Sequence, residues 1–103
     1  MQDYHQLEIW SRAMDYSVAV YGFVAYLPHE EKYNLASQLR RAVTSAPLNI
    51  AEGCGAASNT EFGHFLGFAY RSLKEVVTTL ELCERLYPML TRTGSCCARS
   101  FEL

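Results

Sequence analysis

Apolar positions along the chain fall into three long helical patterns, and the residues between them mark where each pattern stops. From Gln6 to Tyr26, Leu7, Trp10, Met14, Ser17, Val18, Tyr21 and Ala25 share one face at 100° per residue. Ile9, Tyr16, Val20 and Phe23 form a second apolar stripe beside it, leaving a narrow arc of Glu8, Arg12, Asp15, Ala19 and Gly22. A helix so widely apolar needs neighbours on two sides. In a small bundle the second neighbour can belong to another subunit, and Ile9, Tyr16, Val20 and Phe23 are then the interface stripe. Leu27-Pro28 ends the pattern, because the residue before a proline disfavours the helical region.

The spacing predicts a second helix over 29–53, opened by Pro28 and by Glu30 and Glu31 at its positive end. Its apolar arc is Leu39, Ala42, Val43, Ala46 and Ile50. Beside that arc run Gln38, Arg41, Ser45, Asn49 and Glu52, each three or four residues from the next. Such regular polar spacing suits the shoulder of a bundle core, where helices or subunits meet and each group finds a partner. Pro47 lacks an N–H and crowds the carbonyl of Val43, so a kink is expected there, with the register of both arcs kept. Gly53 is expected to end the helix by adopting a positive φ.

Ser58-Asn59-Thr60-Glu61 reads as a capping box, Ser58 and Glu61 satisfying each other's free N–H groups. It launches a third helix over 59–87 whose seam is Phe62, Leu66, Ala69, Leu73, Val76, Leu80, Cys83 and Tyr87. Steps alternating four and three are the repeat of a left-handed bundle seam. The fold expected is therefore all-α. It is an antiparallel up-down bundle of three long helices (about 6–26, 29–53 and 59–87) in a single domain spanning 1–103. The segment 88–103 shows no period and reads as an irregular tail, with Phe101 and Leu103 its only apolar anchors after residue 90.

Composition changes this picture little. Half of the residues are apolar and 19% are charged, the balance of an ordinary soluble domain. The net charge of −2 argues against a general nucleic-acid coat and leaves a local basic patch open. The apolar run from Val18 to Leu27 includes Gly22 and is too short to span a bilayer. The polar start Met-Gln-Asp-Tyr-His has no signal-peptide core. Cys54, Cys83, Cys96 and Cys97 lack metal-ligand spacing and read as reduced thiols, which points to a cytoplasmic protein.

Catalytic constellations are incomplete. Glu61-Phe62-Gly63-His64 spells one Glu-x-x-His half of a di-iron site, but no second copy exists and Glu61 is committed to the cap. Gly53-Cys54-Gly55 follows no strand and is followed by no lysine in register, so it is not a phosphate loop. No Gly-x-Ser-x-Gly element is present, and Cys96-Cys97 reads as incidental. The expectation is no catalytic residue, no metal, no cofactor and no small-molecule substrate.

Leu7-Glu8-Ile9-Trp10, Ser37-Gln38-Leu39-Arg40-Arg41-Ala42 and Asn49-Ile50-Ala51-Glu52-Gly53, with Ser58-x-x-Glu61-Phe62 and Leu80-Glu81-Leu82, carry a resemblance over roughly residues 7–87. The chain resembles the four-helix-bundle proteins first met as products of intervening sequences in bacterial large-subunit ribosomal RNA. That family includes the accessory variability proteins of diversity-generating retroelements. The resemblance implies an antiparallel bundle assembled as a ring-like homopentamer. It also implies a suspected role in binding RNA or an RNA-processing partner, without established catalysis for most members. The chain departs from the family after the third helix, where a long fourth one usually follows. Sixteen helical residues would span about 24 Å against roughly 45 Å for the third helix, and the aperiodic tail reads as a truncated or frame-shifted end.

The polar stripe then has two readings. In the structural one, Arg41 and Glu52 pair across helices or subunits, while Ser45 and Asn49 satisfy backbone freed by Pro47. In the functional one, Arg40 and Arg41 are presented to RNA phosphates around an oligomer axis. The function expected is a non-enzymatic assembly and interaction protein, with an RNA-binding accessory protein as the alternative.

Overall fold

The computed structural model describes residues 3–90 and is all-helical over them. Three α-helices, α1 (Glu8–Val24), α2 (Leu35–Gly53) and α3 (Asn59–Leu86), alternate with short 3-10 turns at Tyr4–Gln6, His29–Glu31 and Pro88–Leu90. Helix α2 lies in the middle, and α1 and α3 each pack chiefly on it. One apolar core joins the three, with Phe23, Leu39, Ile50, Leu80, Val20, Val43 and Val76 fully buried. The expected three-helix bundle is the fold observed. From Ala69 to Cys83 the expected α3 seam is buried at every position, while Phe62, Leu66 and Tyr87 are partly buried at its ends. The segment from residue 91 onward, including Cys96, Cys97, Phe101 and Leu103, lies outside the described residues.

Three expectations change. Helix α2 begins at Leu35, not at residue 29, because residues 29–31 close a separate 3-10 turn. The carboxylate of Glu31 then serves the new start: its Oε1 accepts from the Leu35 N–H at 3.5 Å and from the Asn34 amide at 3.1 Å. Residues 88–90 are not irregular but form a 3-10 turn whose Leu90 packs on the core.

The third change concerns Gly53. No glycine among the described residues has a positive φ, so Gly53 is there for space, not for backbone freedom. A Cβ at that position would sit 2.8 Å from Phe62 Cδ1 and 2.9 Å from Phe65 Cβ. The glycine lets the start of α3 lie directly on the end of α2. Gly53→Ala should therefore lower the melting temperature, overpacking costing about 1–3 kcal/mol against a helix-propensity gain of at most ~1 kcal/mol. An unchanged or higher melting temperature in a thermal scan would show that the phenylalanines move aside freely.

Pro47 lies buried inside an unbroken α2. The carbonyl it leaves without an intrahelical donor is that of Val43. Ser17 of α1 answers it: its hydroxyl donates to the Ala13 carbonyl at 2.8 Å and lies 3.2 Å from the Val43 carbonyl. Ser45 and Asn49 do not perform this task. Asn49 donates instead to the Ser45 carbonyl at 2.8 Å and to Ser45 Oγ at 3.0 Å.

Candidate functional site

Two surfaces of α2 face outward, and they differ in chemistry. The first is the polar seam with α3. Ser72 and Ser45 share a hydroxyl hydrogen bond at 2.9 Å, and Gln38 donates to Glu75 at 3.4 Å. Together with the Asn49 bonds these make a ladder along the shoulder of the core, partly buried at Gln38, Ser45 and Asn49. Arg41 lies exposed at the edge, lining a notch of about 320 Å³ with Ala42, Ser45, Ser72 and Glu75. Glu52 is exposed, and the structure records no ion pair between it and Arg41. Arg40 points elsewhere. It donates to the Lys32 carbonyl at 3.3 Å and lines a different hollow with Val24, Leu27 and His29. The structure thus separates the two arginines, one facing the α1–α2 connection and the other the α2–α3 seam.

The capping box is present with one shift. Ser58 Oγ accepts from the Glu61 N–H at 3.1 Å, while Glu61 reaches back to the Ala57 N–H at 3.2 Å, one residue beyond the cap. His64 is exposed, and among the described residues no group of three or more His, Cys, Asp or Glu side chains is placed to hold a metal ion. Cys54 and Cys83 are buried free thiols, and burial, with Glu31 and Glu84 nearby, pushes the Cys83 thiol up to about 11.

Where α3 ends, Tyr87 donates a short hydrogen bond to Glu31 Oε2, tying the last turn of α3 to the entry of α2. That bond holds the Glu31 carboxyl below its ordinary range, against the opposing effect of burial, with help from Leu35 and Asn34. The same bond, aided by burial and by the Glu31 charge, pushes the Tyr87 hydroxyl up to about 12. A depressed carboxylate contributes stability above its unfolded pKa and loses it as pH falls through the folded one. A raised phenol contributes fully below about pH 10 and loses its contribution as pH climbs towards 12. Tyr87→Phe should therefore be less stable than the parent near neutrality, and the two should converge in acid as Glu31 is protonated. Melting curves recorded from pH 2 to 8 that stay parallel would show that the bond does not form in solution.

The second surface is an apolar groove of about 620 Å³ on the α1–α2 side. Trp10, Met14, Val18 and Tyr21 of α1 face Pro47, Leu48 and Ala51 of α2 across it. Tyr4 and His5 pack on Trp10 near one end, with ring centroids 5.1 and 5.2 Å from the indole. Val18 is 73% exposed and Leu48 59%, so the walls stand open to solvent. This placement inverts the sequence-based assignment of α1. Tyr16, Val20 and Phe23, the expected interface stripe, are 3%, 0% and 1% exposed and form the core, with Ile9 packed partly against it. Either stripe could have met α2. The one with Tyr16, Val20 and Phe23 entered the core, where Ala13 is buried beside them.

Compared with known protein families, residues 5–92 match the model of the 23S rRNA-intervening sequence protein. The chain belongs to that family. The match takes in all three helices of this intervening-sequence protein and the 3-10 turn that follows them. No match is found among curated proteins. No helix among the described residues of this intervening-sequence protein is long and apolar enough to cross a membrane.

Sequence reasoning found the polar ladder but missed the groove as a site. One signal was available: Leu48 lies well outside the arc of Leu39, Val43, Ala46 and Ile50, so α2 has a second apolar contact to make. Phe68, Leu82 and Leu86 of α3 give a similar signal, standing off its seam at 45%, 45% and 54% exposure.

Proposed function

We propose that this intervening-sequence protein is a non-enzymatic assembly module that works as a homo-oligomer in the cytoplasm, with the ring of five that the family resemblance implies as the favoured state. The observation that carries the reading is the open α1–α2 groove. A monomeric domain rarely leaves so many large apolar side chains contiguous and uncovered, and such patches mark protein contacts. Trp10 is the single tryptophan of the chain and lines this groove, so its fluorescence reports on whether the groove is covered. In the intact protein, acrylamide should quench Trp10 weakly. Replacing Val18 and Leu48 together by glutamate should expose the indole and reduce the mass to that of one chain, with helicity kept. Equal, strong quenching in both proteins would mean that nothing covers the groove.

The alternative is an accessory protein that presents Arg40 and Arg41 to RNA around the oligomer axis. Arg41, exposed at the mouth of a polar notch, supports a phosphate contact; Arg40, turned to the Lys32 carbonyl, supports it less. On this reading Arg41→Gln flattens the salt dependence of RNA binding, a slope of roughly −0.7 per phosphate on a single strand, and Arg40→Gln changes it less. Gel-shift titrations with no binding at low salt would remove this alternative.

A further inference from the structure

The connection between α1 and α2 folds around a hollow of about 210 Å³. Buried Val24, Leu27 and Ala36 line it together with three basic residues, His29, Lys32 and Arg40. His29 comes from the 3-10 turn, Lys32 from the end of that turn, and Arg40 from the second turn of α2. The Arg40 guanidinium donates to the Lys32 carbonyl at 3.3 Å, which ties the helix to the turn. That bond spends one of the five N–H donors an arginine carries.

No carboxylate lines the hollow, and neither Lys32 nor Arg40 forms an ion pair among the described residues. Glu31, from the same turn, is taken up by Tyr87, Asn34 and the Leu35 N–H. Glu30 is exposed beside His29 in the chain but is not part of the lining. Other cations are placed differently. Arg41 shares its notch with Glu75, while Arg71 and Lys74 stand over the rings of Phe68 and Tyr70. Two permanent cations beside one partly apolar hollow repel each other, and an anion between them relieves that repulsion.

The chemistry narrows the anion. A phosphate monoester carries nearly two charges and three acceptor oxygens, so it can meet a guanidinium fork and an ammonium at once. Tyr33 adds a second element. Its ring is 86% exposed, and the Lys32 Nζ stands 5.4 Å from its centroid. An open aromatic face beside cations is a surface on which a base stacks.

We propose that this hollow binds the terminal phosphate of a nucleotide, with Lys32 and Arg40 on the phosphate and Tyr33 against the base. The nucleotide is either a free nucleoside monophosphate or the phosphorylated end of an RNA strand. The site needs neither an oligomer nor Arg41, so it stands apart from both readings above.

Calorimetric titration of the full-length chain tests it, with adenosine monophosphate, adenosine and inorganic phosphate as probes. The monophosphate should bind saturably, phosphate more weakly, and adenosine weaker than the monophosphate by about tenfold or more. Lys32→Gln and Arg40→Gln should each weaken the monophosphate by about tenfold, whereas Arg41→Gln should leave it unchanged. Tyr33→Ala should weaken the monophosphate and leave inorganic phosphate as it was. Circular dichroism checks folding, and Lys32→Gln removes no hydrogen bond that holds the turn, since its carbonyl remains for Arg40. Two short RNAs of one sequence, with and without a terminal phosphate, separate the sources. A phosphorylated strand that binds more tightly than the monophosphate makes the strand end the ligand; one that binds no better makes it the free nucleotide. No saturable binding of the monophosphate at millimolar concentration, or adenosine binding equally well, would overturn the site. So would an equal loss in Arg41→Gln and Lys32→Gln, which would show a general effect of surface charge.

Discussion

Phe23→Ala should destabilise the protein by about 3–5 kcal/mol, the cost of emptying a fully buried aromatic site, and the loss should not depend on protein concentration. Phe23 is 1% exposed within a single chain, where it sits in one core with Val20, Leu39 and Leu80. Were it an interface residue instead, the loss would shrink on dilution, because the contribution of binding to stability follows mass action and vanishes as the chains separate. Denaturant titrations at two concentrations a hundredfold apart separate the cases. A loss below ~1 kcal/mol, or one confined to concentrated samples, would return the Tyr16, Val20 and Phe23 stripe to the subunit interface.

Ser17→Ala should cost about 1–3 kcal/mol, the range for a buried acceptor left without its donor. The cause is specific. Pro47 withholds the N–H that the Val43 carbonyl would receive within the helix, and the Ser17 hydroxyl, 3.2 Å away, is what the structure puts in its place. Replacing Pro47 by alanine restores that N–H. In a Pro47→Ala background the Ser17→Ala change should therefore cost about 1 kcal/mol less, a coupling beyond the ~0.3–0.5 kcal/mol within which independent sites add. Additive losses would mean that Ser17 acts only on the Ala13 carbonyl of its own helix, which it meets at 2.8 Å.

These two residues also show what was legible in the sequence. The α3 seam was legible because every step obeyed one period and one face was apolar. The α2 polar ladder was legible for the same reason, although the partners of its members were not. Ser45 bonds Ser72, and Gln38 bonds Glu75, across a register between helices that a one-dimensional pattern does not carry. The orientation of α1 was not legible, since two adjacent apolar stripes satisfy the same periodicity and only packing against α2 chooses between them. Ser17, at the border of the two, became the hydroxyl that mends the Pro47 defect. Gly53 misled for a related reason: a glycine near a helix end suggests a positive φ, yet here the nearness of Phe62 and Phe65 is what excludes a side chain.

The start of α2 was displaced by a tertiary contact. Tyr87, 56 residues away, bonds Glu31 in a separate turn, so one member of the acidic pair that suggested a helix start belongs to a latch between the end of α3 and the entry of α2.

The account stands most directly on one quantity, the mass of the intact chain in solution after nuclease treatment, followed by light scattering across the micromolar range. An open groove that a second copy fills predicts a stable multiple of 11.7 kDa, about five times that mass for the favoured ring, unchanged by removal of nucleic acid. A single species at 11.7 kDa throughout that range would contradict it.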